Sequence, residues 1–276
     1  MRSTSPAPAL LAAACAACYS PTAHEGAPCS SASDVCPFPQ TCQLSDGQYT
    51  CTTMPDGEQP ADAAPSDGPR AIDGAAATPV IAAVQEVANS STAPGNSLVF
   101  PQQVQAGDSI IVCFTFPSHM MLGSIDDSLA NQYTAVVGPA LANGYNHYIA
   151  IASSPAAGSD TVTVTLSGPV SAGWELLALE YTGLAPTDPF DASAYASGSD
   201  GSAMSSGSAS TKSAHELLLA YGHSSGPMAG SGYTARDSTD ESLVEDHVVF
   251  ATGSYTATAT TSPGIWTLLL ATFAGR

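Results

Sequence analysis

From Val80 onward the chain alternates between short apolar runs and clusters of Gly, Pro, Asn and Ser. Eleven runs have strand length: "VIAAVQEV" (80–87), "SLVF" (97–100), "SIIVCFTF" (109–116), "QYTAVV" (132–137), "HYIAIA" (147–152), "TVTVTL" (161–166), "WELLALEY" (174–181), "ELLLAY" (216–221), "EDHVVFA" (245–251), "SYTATAT" (254–260) and "IWTLLLATF" (265–273). In "TVTVTL" and "SYTATAT" Thr alternates with Val, Leu, Tyr or Ala, the pattern of a sheet with one wet face. "SIIVCFTF" and "IWTLLLATF" are apolar on both faces, as central strands are. No stretch carries a helical period with caps. The pattern predicts an all-β domain over 80–276: an antiparallel two-sheet β-sandwich of jelly-roll type, with a core large enough to need no staple.

Upstream of Val80 the texture changes. Residues 52–79 are dominated by Pro, Ala, Gly and Asp, with five acids against one Arg. Such a stretch buries too little apolar surface to offset its ordering entropy, so it reads as an extended linker. Before it, residues 24–51 hold Cys29, Cys36, Cys42 and Cys51. Four closely spaced cysteines in an exported chain predict a small module with two disulfides, for which three connectivities are open. The spacing contains no C-x2-C pair and only His24 lies nearby, which argues against a metal knuckle. Residues 1–18, "MRSTSPAPALLAAACAAC", have one Arg and a short Ala/Leu stretch ending in small residues before Cys15 and Cys18. That pattern predicts a secretory signal. Two readings of it stand: a lipoprotein signal with acylation at Cys15 (or Cys18), or an ordinary cleaved leader.

Charge narrows the partners. The 276 residues carry five Lys and Arg against 24 Asp and Glu, a formal net charge of −19. Nucleic acid and anionic lipid head groups repel such a chain, so the expected membrane link is a lipid anchor alone.

Several constellations offer chemistry. Gly222-His223-Ser224-Ser225-Gly226 matches G-x-S-x-G, which would make Ser224 a nucleophile. The elbow needs a helix after the turn, yet "PMAGSGYTAR" follows, a loop, and no oxyanion segment is present. Glu175 and Glu180 could serve glycoside hydrolysis, but a spacing of five places them on opposite faces of a regular strand. Asp126, Asp127 and Asn131 share one loop and could hold a structural Ca²⁺; Asp and Asn are equally the usual turn formers. "TDESLVED" (239–246) forms a second acidic cluster and a candidate rim. The histidines have no i,i+2 or i,i+4 pair, so no transition-metal site is expected, and no cofactor is required. Cys113 reads as a buried inert thiol and Trp266 as core. Tyr133, Tyr145, Tyr195 and Tyr233 lie near loops, where flat rings can stack on sugars.

"AGDSIIV", "DDSLANQYT", "GSDTVTVTLSG", "LEYTGL…PFDASAYASG", "ELLLAYG", "AGSGYTAR" and "EDHVVFATGSYTATAT" keep their order along 80–276. Together they resemble an uncharacterised jelly-roll domain of bacterial secreted and surface proteins. The Cys-rich segment resembles the short inserts of bacterial surface lipoproteins. The first resemblance implies a fold and an extracellular setting beside polysaccharide-associated modules, and it brings no catalytic set. Ala130 stands where that pattern usually has Gly. The expectation is an exported surface protein whose β-sandwich is a non-catalytic binding module for polysaccharide or another cell-surface ligand. A secreted hydrolase and a purely structural surface protein are the alternatives.

Overall fold

The computed structural model describes residues 40–45, 48–53, 80–168, 172–238 and 240–276. The chain divides into two units, Met1–Ile72 and Asp73–Arg276. In the first unit β1 (Gln40–Ser45) and β2 (Gln48–Thr53) form an antiparallel hairpin whose register sets Cys42 opposite Cys51. Cys15, Cys18, Cys29, Cys36 and all but the first two residues of the expected linker lie outside the described residues.

Among the described residues the second unit holds sixteen strands. They are β3 (Ala82–Ser91), β4 (Gly95–Val99), β5 (Ser109–Pro117), β6 (Met121–Asp127), β7 (Thr134–Ala142), β8 (Tyr145–Ser153), β9 (Thr161–Ser167) and β10 (Trp174–Thr182), then β11 (Phe190–Gly198), β12 (Ala203–Ser210), β13 (Glu216–Ser224), β14 (Met228–Ala229), β15 (Thr234–Asp237), β16 (Ser242–Val249), β17 (Ser254–Thr260) and β18 (Trp266–Ala274). All the pairings are antiparallel, and no helix occurs among the described residues.

One expectation needs correction. Residues 80–276 form two pairs of sheets, not one. The first pair has orders β3-β10-β5-β8-β7 and β4-β9-β6; the second has β11-β18-β13-β16-β15 and β12-β17-β14. Adding eight to each label of the first pair reproduces the second, so the unit is one eight-stranded wiring used twice. Sequence follows the wiring: "WELLALEYTG" (174–183) in β10 answers "WTLLLATFAG" (266–275) in β18, and "TVTVT" (161–165) answers "TATAT" (256–260).

Three apolar clusters follow from strand alternation. In β5, Ile110, Val112, Phe114 and Phe116 face β4 and β9 across the first half's own core. In the second half, Leu218, Ala220, Leu268 and Leu270 do the same against Met204, Ala257 and Ala259. The remaining faces of the two five-stranded sheets pack on each other, through Ile111, Cys113, Leu177 and Leu179 from one half and Leu219, Tyr221, Leu269 and Phe273 from the other. This seam explains why β5 is buried along its whole length: both of its faces are covered, one by each neighbour. Cys113 is a fully buried free thiol in the seam. Gly183, at φ +83°, closes the first half, because a Cβ there would stand 2.2 Å from the Val80 carbonyl oxygen.

Candidate functional site

The seam is apolar along most of its length and turns polar at one end. Cross-strand register shows how. In the first half Leu177, Cys113 and Ile149 form one row across β10, β5 and β8, and the next row is Glu175, Thr115 and His147. In the second half the row Leu269, Tyr221 and Val244 is followed by Thr267, His223 and Ser242. All six central strands therefore change from apolar to polar at the same level. Thr115, His147, Ser242 and Thr267 are at most 1% exposed. Burying polar groups costs stability unless they are paired, so this end calls for a closer account of its partners.

Three of the six, Glu175, Ser242 and Thr267, are paired across the seam. Ser242 Oγ donates to Glu175 Oε2, and the Glu241 N–H donates to Glu175 Oε1 at 3.1 Å. The Tyr221 and Ser242 hydroxyls lie 3.0 Å apart. Asn143 Nδ2, in the β7–β8 turn, donates to the Trp266 carbonyl at 3.1 Å and to Thr267 Oγ1 at 3.3 Å. Thr115 Oγ1 is 3.0 Å from His147 Nδ1, while the fully buried His147 Nε2 has no hydrogen-bond partner. The His147 and His223 rings meet at 5.3 Å between centroids, and Tyr145 stands 5.3 Å from His223 on another side. Ser90 Oγ donates to Asp240 Oδ2 at 2.9 Å.

Two cavities open here, of about 330 and 320 Å³, and both are lined by Tyr145, His223 and Glu241. The first adds Glu175, Asp240 and Thr115; the second adds Asn143, Ser225 and Ile265. Burial, then the neighbouring His223, lowers the His147 imidazole to about 3. Burial lowers His223 to about 4. Both rings are thus neutral at pH 7. Burial also raises Glu175, against the opposing pull of its bonds from Ser242 and the Glu241 N–H. The site offers carboxylate acceptors, neutral imidazoles and one aromatic wall. Ser242, behind the cavities, is already engaged: it is buried and bonded to Glu175.

At the other end of the seam Tyr181 OH donates to Asp246 Oδ2 at 2.6 Å, and Arg236 grips the same carboxylate at 2.8 and 3.0 Å. That carboxylate breaks an otherwise apolar row, and its partners balance it within the fold. A third cavity, of about 400 Å³, lies beside Val136, Pro186 and Phe190, with Asp188 as the one ionisable residue lining it.

The residues singled out from sequence are dispersed. Ser224 is 4% exposed, its Oγ donates to Met204 Sδ, and the chain turns at Gly226 into the two-residue β14. No helix N-terminus faces it. Glu175 reaches the seam, whereas Glu180 is fully buried on the other face, accepting from Gln85 Nε2 and the Gln105 N–H. Asp127 takes four donors, from Leu129 N, Asn131 N, Asn131 Nδ2 and Tyr133 OH, while Asp126 is exposed. Ala130, where Gly was expected, does adopt φ +59°. The Tyr133 hydroxyl is thus spent within its loop. The Tyr233 hydroxyl is buried, and its ring meets His247. Tyr195 is 53% exposed on the edge strand β11, and Tyr145 alone of the four lines the seam cavities. No group of three or more His, Cys, Asp and Glu among the described residues is arranged to hold a metal ion.

Sequence reading missed His147, His223, Thr115 and Thr267 as a set, since the spacing of histidines along one chain cannot show that two halves bring them together. The usable signal was the rim "TDESLVED", which supplies Asp240 and Glu241. Comparison with protein-family models, curated proteins and solved structures finds no match for this chain.

Proposed function

We propose that this chain is an exported, lipid-anchored surface protein whose paired sheets form a non-catalytic binding module, with polysaccharide as the ligand. Each half reads as a jelly roll: strands one, eight, three and six of the eight are neighbours, as are two, seven and four, with the fifth carried on the larger sheet. The observation that carries the reading is the polar end of the seam. Six polar residues at one level, opening on two cavities that share Tyr145, break the apolar rule that the middle of the seam obeys, and such breaks concentrate at functional sites. Tyr145 supplies a stacking face and Glu241, Asn143 and Ser225 supply hydrogen-bond partners for sugar hydroxyls. The net charge of −19 argues against anionic ligands. A hydrolase is less well supported, because both Glu175 oxygens accept bonds from within the protein and Ser224 faces Met204.

The test is a polysaccharide and glycan panel against the full chain, once with calcium and once with a chelator. Selective binding that Tyr145→Ala weakens roughly tenfold or more supports the reading. Silence under both conditions sinks it and leaves a structural surface protein.

A further inference from the structure

The polar level of the seam holds one histidine from each half, and the two rings are in contact. His147 on β8 is fully buried, and the His223 side chain on β13 is 12% exposed. Their centroids lie 5.3 Å apart, with 51° between the planes. Thr115 engages His147 Nδ1, Nε2 has no partner, and no carboxylate favours the charged form of that ring. In register, β5 and β7 set Thr115 and Ala140 beside His147, while β16 and β18 set Ser242 and Thr267 beside His223; none of the four carries charge. The ionisable groups around the pair are Glu175 on β10, Asp240 and Glu241 before β16, Tyr145 on β8 and Tyr221 on β13. Glu175 already accepts from Ser242 and the Glu241 N–H. Glu241 Oε2 is 3.7 Å from His223 Nε2, but its side chain is 62% exposed, so water screens that charge. A proton on either ring would bury a charge without a close counter-ion, and protons on both would repel across the ring contact.

We propose that the His147–His223 pair is an acid-sensitive latch: its neutral rings close the polar end of the seam, and protonation parts the two halves there. Burial, then His223, holds His147 at about 3 against the pull of the Ala142 carbonyl, and burial holds His223 at about 4. In water both rings ionise near 6.5, so the opened state binds more protons than the closed one. The pair's contribution is therefore full above about 6.5 and is lost as pH falls toward 4. Glu175 acts with the opposite sign: burial raises it, so the closed state holds its proton more tightly and acid strengthens it. Loosening of this end in acid thus comes from the histidines. At the far end Tyr181 and Arg236 hold Asp246, which supplies an internal reference. The latch works whether or not the cavities take a glycan.

The experiment follows amide hydrogen exchange of the full chain by NMR from pH 7.5 to 5.5, each rate divided by its intrinsic rate at that pH. Corrected exchange at Thr115, His147, His223, Ser242 and Thr267 is expected to rise about tenfold for each ring that becomes solvated, about a hundredfold for the pair. Tyr181 and Asp246 should stay level. The double variant His147→Gln/His223→Gln keeps polar side chains that do not titrate, and it should cancel the rise. If that variant does not fold, His223→Gln alone should leave a rise of about tenfold. Corrected rates that stay level in the parent chain overturn the latch. So does an equal rise at Tyr181 and Asp246, which would mean that the whole fold opens, or a full rise that persists in either variant.

Discussion

The two halves of the second unit share one wiring and fill it differently. In the first, β9 points Val162, Val164 and Leu166 inward, and Phe114, Phe116 and Tyr148 stack at centroid distances of 5.0 to 6.1 Å. In the second, β17 offers Ala257 and Ala259, and Gly222 holds the register place of Phe114, each being paired with the Leu of its Trp-x-Leu motif. The thinner core is closed, since a Cβ at Gly222 would stand 3.2 Å from both Leu268 and Met204. The peripheral strands shrink in parallel. β6 and β7 have seven and nine residues; their counterparts β14 and β15 have two and four. The first half can thus draw on a full core of its own, while the second depends more on the seam. A duplicated fold need not divide its stability evenly, and the shared face can carry the weaker copy.

The largest test removes a seam anchor. Phe273→Ala should cost about 3–5 kcal/mol, and calorimetry should still show one transition, because both halves lean on this face. Two separate transitions would break the comparison. Next comes Val164→Ala, which gives β9 the inward residue that β17 already has. It should cost about 2 kcal/mol by denaturant titration, a measure of what the fuller core supplies.

The smallest effect concerns a buried acid that only the second half has. Glu245 is fully buried, with one oxygen bonded to the Gly230 N–H and the other unpartnered, and burial raises its carboxyl to about 7. In the unfolded chain it ionises near 4.5, so the folded state binds more protons between these values. Its contribution is full below 4.5 and is lost as pH rises through 7. After allowance for solvent screening the loss is about 1–2 kcal/mol. Glu245→Gln should flatten that slope and raise the denaturation midpoint at pH 8. An unchanged slope would place the proton elsewhere.

Eleven strands could be read from pattern alone because their apolar side chains are dense or alternate with polar ones, and the clearest of these is "TVTVTL". In the second unit β6, β11, β12, β14 and β15 escaped. Segments such as "FDASAYASG" and "AMSSGSAS" are rich in Gly, Ser and Ala, with few β-branched side chains to mark a strand. All five of these strands lie at sheet edges, where one neighbour suffices. The Trp-x-Leu-Leu and Thr-x-Thr-x-Thr repeats were visible in the letters, but their meaning depends on strand order. Of the site, the acidic rim, Tyr145 and Glu175 were legible as separate candidates.

The sequence by itself determined that the described chain from Val80 is all-β, which faces of its strong strands are apolar, and that its net charge is strongly negative. Those are local and summed properties, set by side-chain period and charge. Only the tertiary structure decided that a doubly apolar strand is covered by a second copy of its own fold. It alone set Glu175, Thr115 and His147 level with Thr267, His223 and Ser242. Alternation along a strand says which side a residue takes; which residue stands opposite, across sheets and across halves, is decided by register and packing.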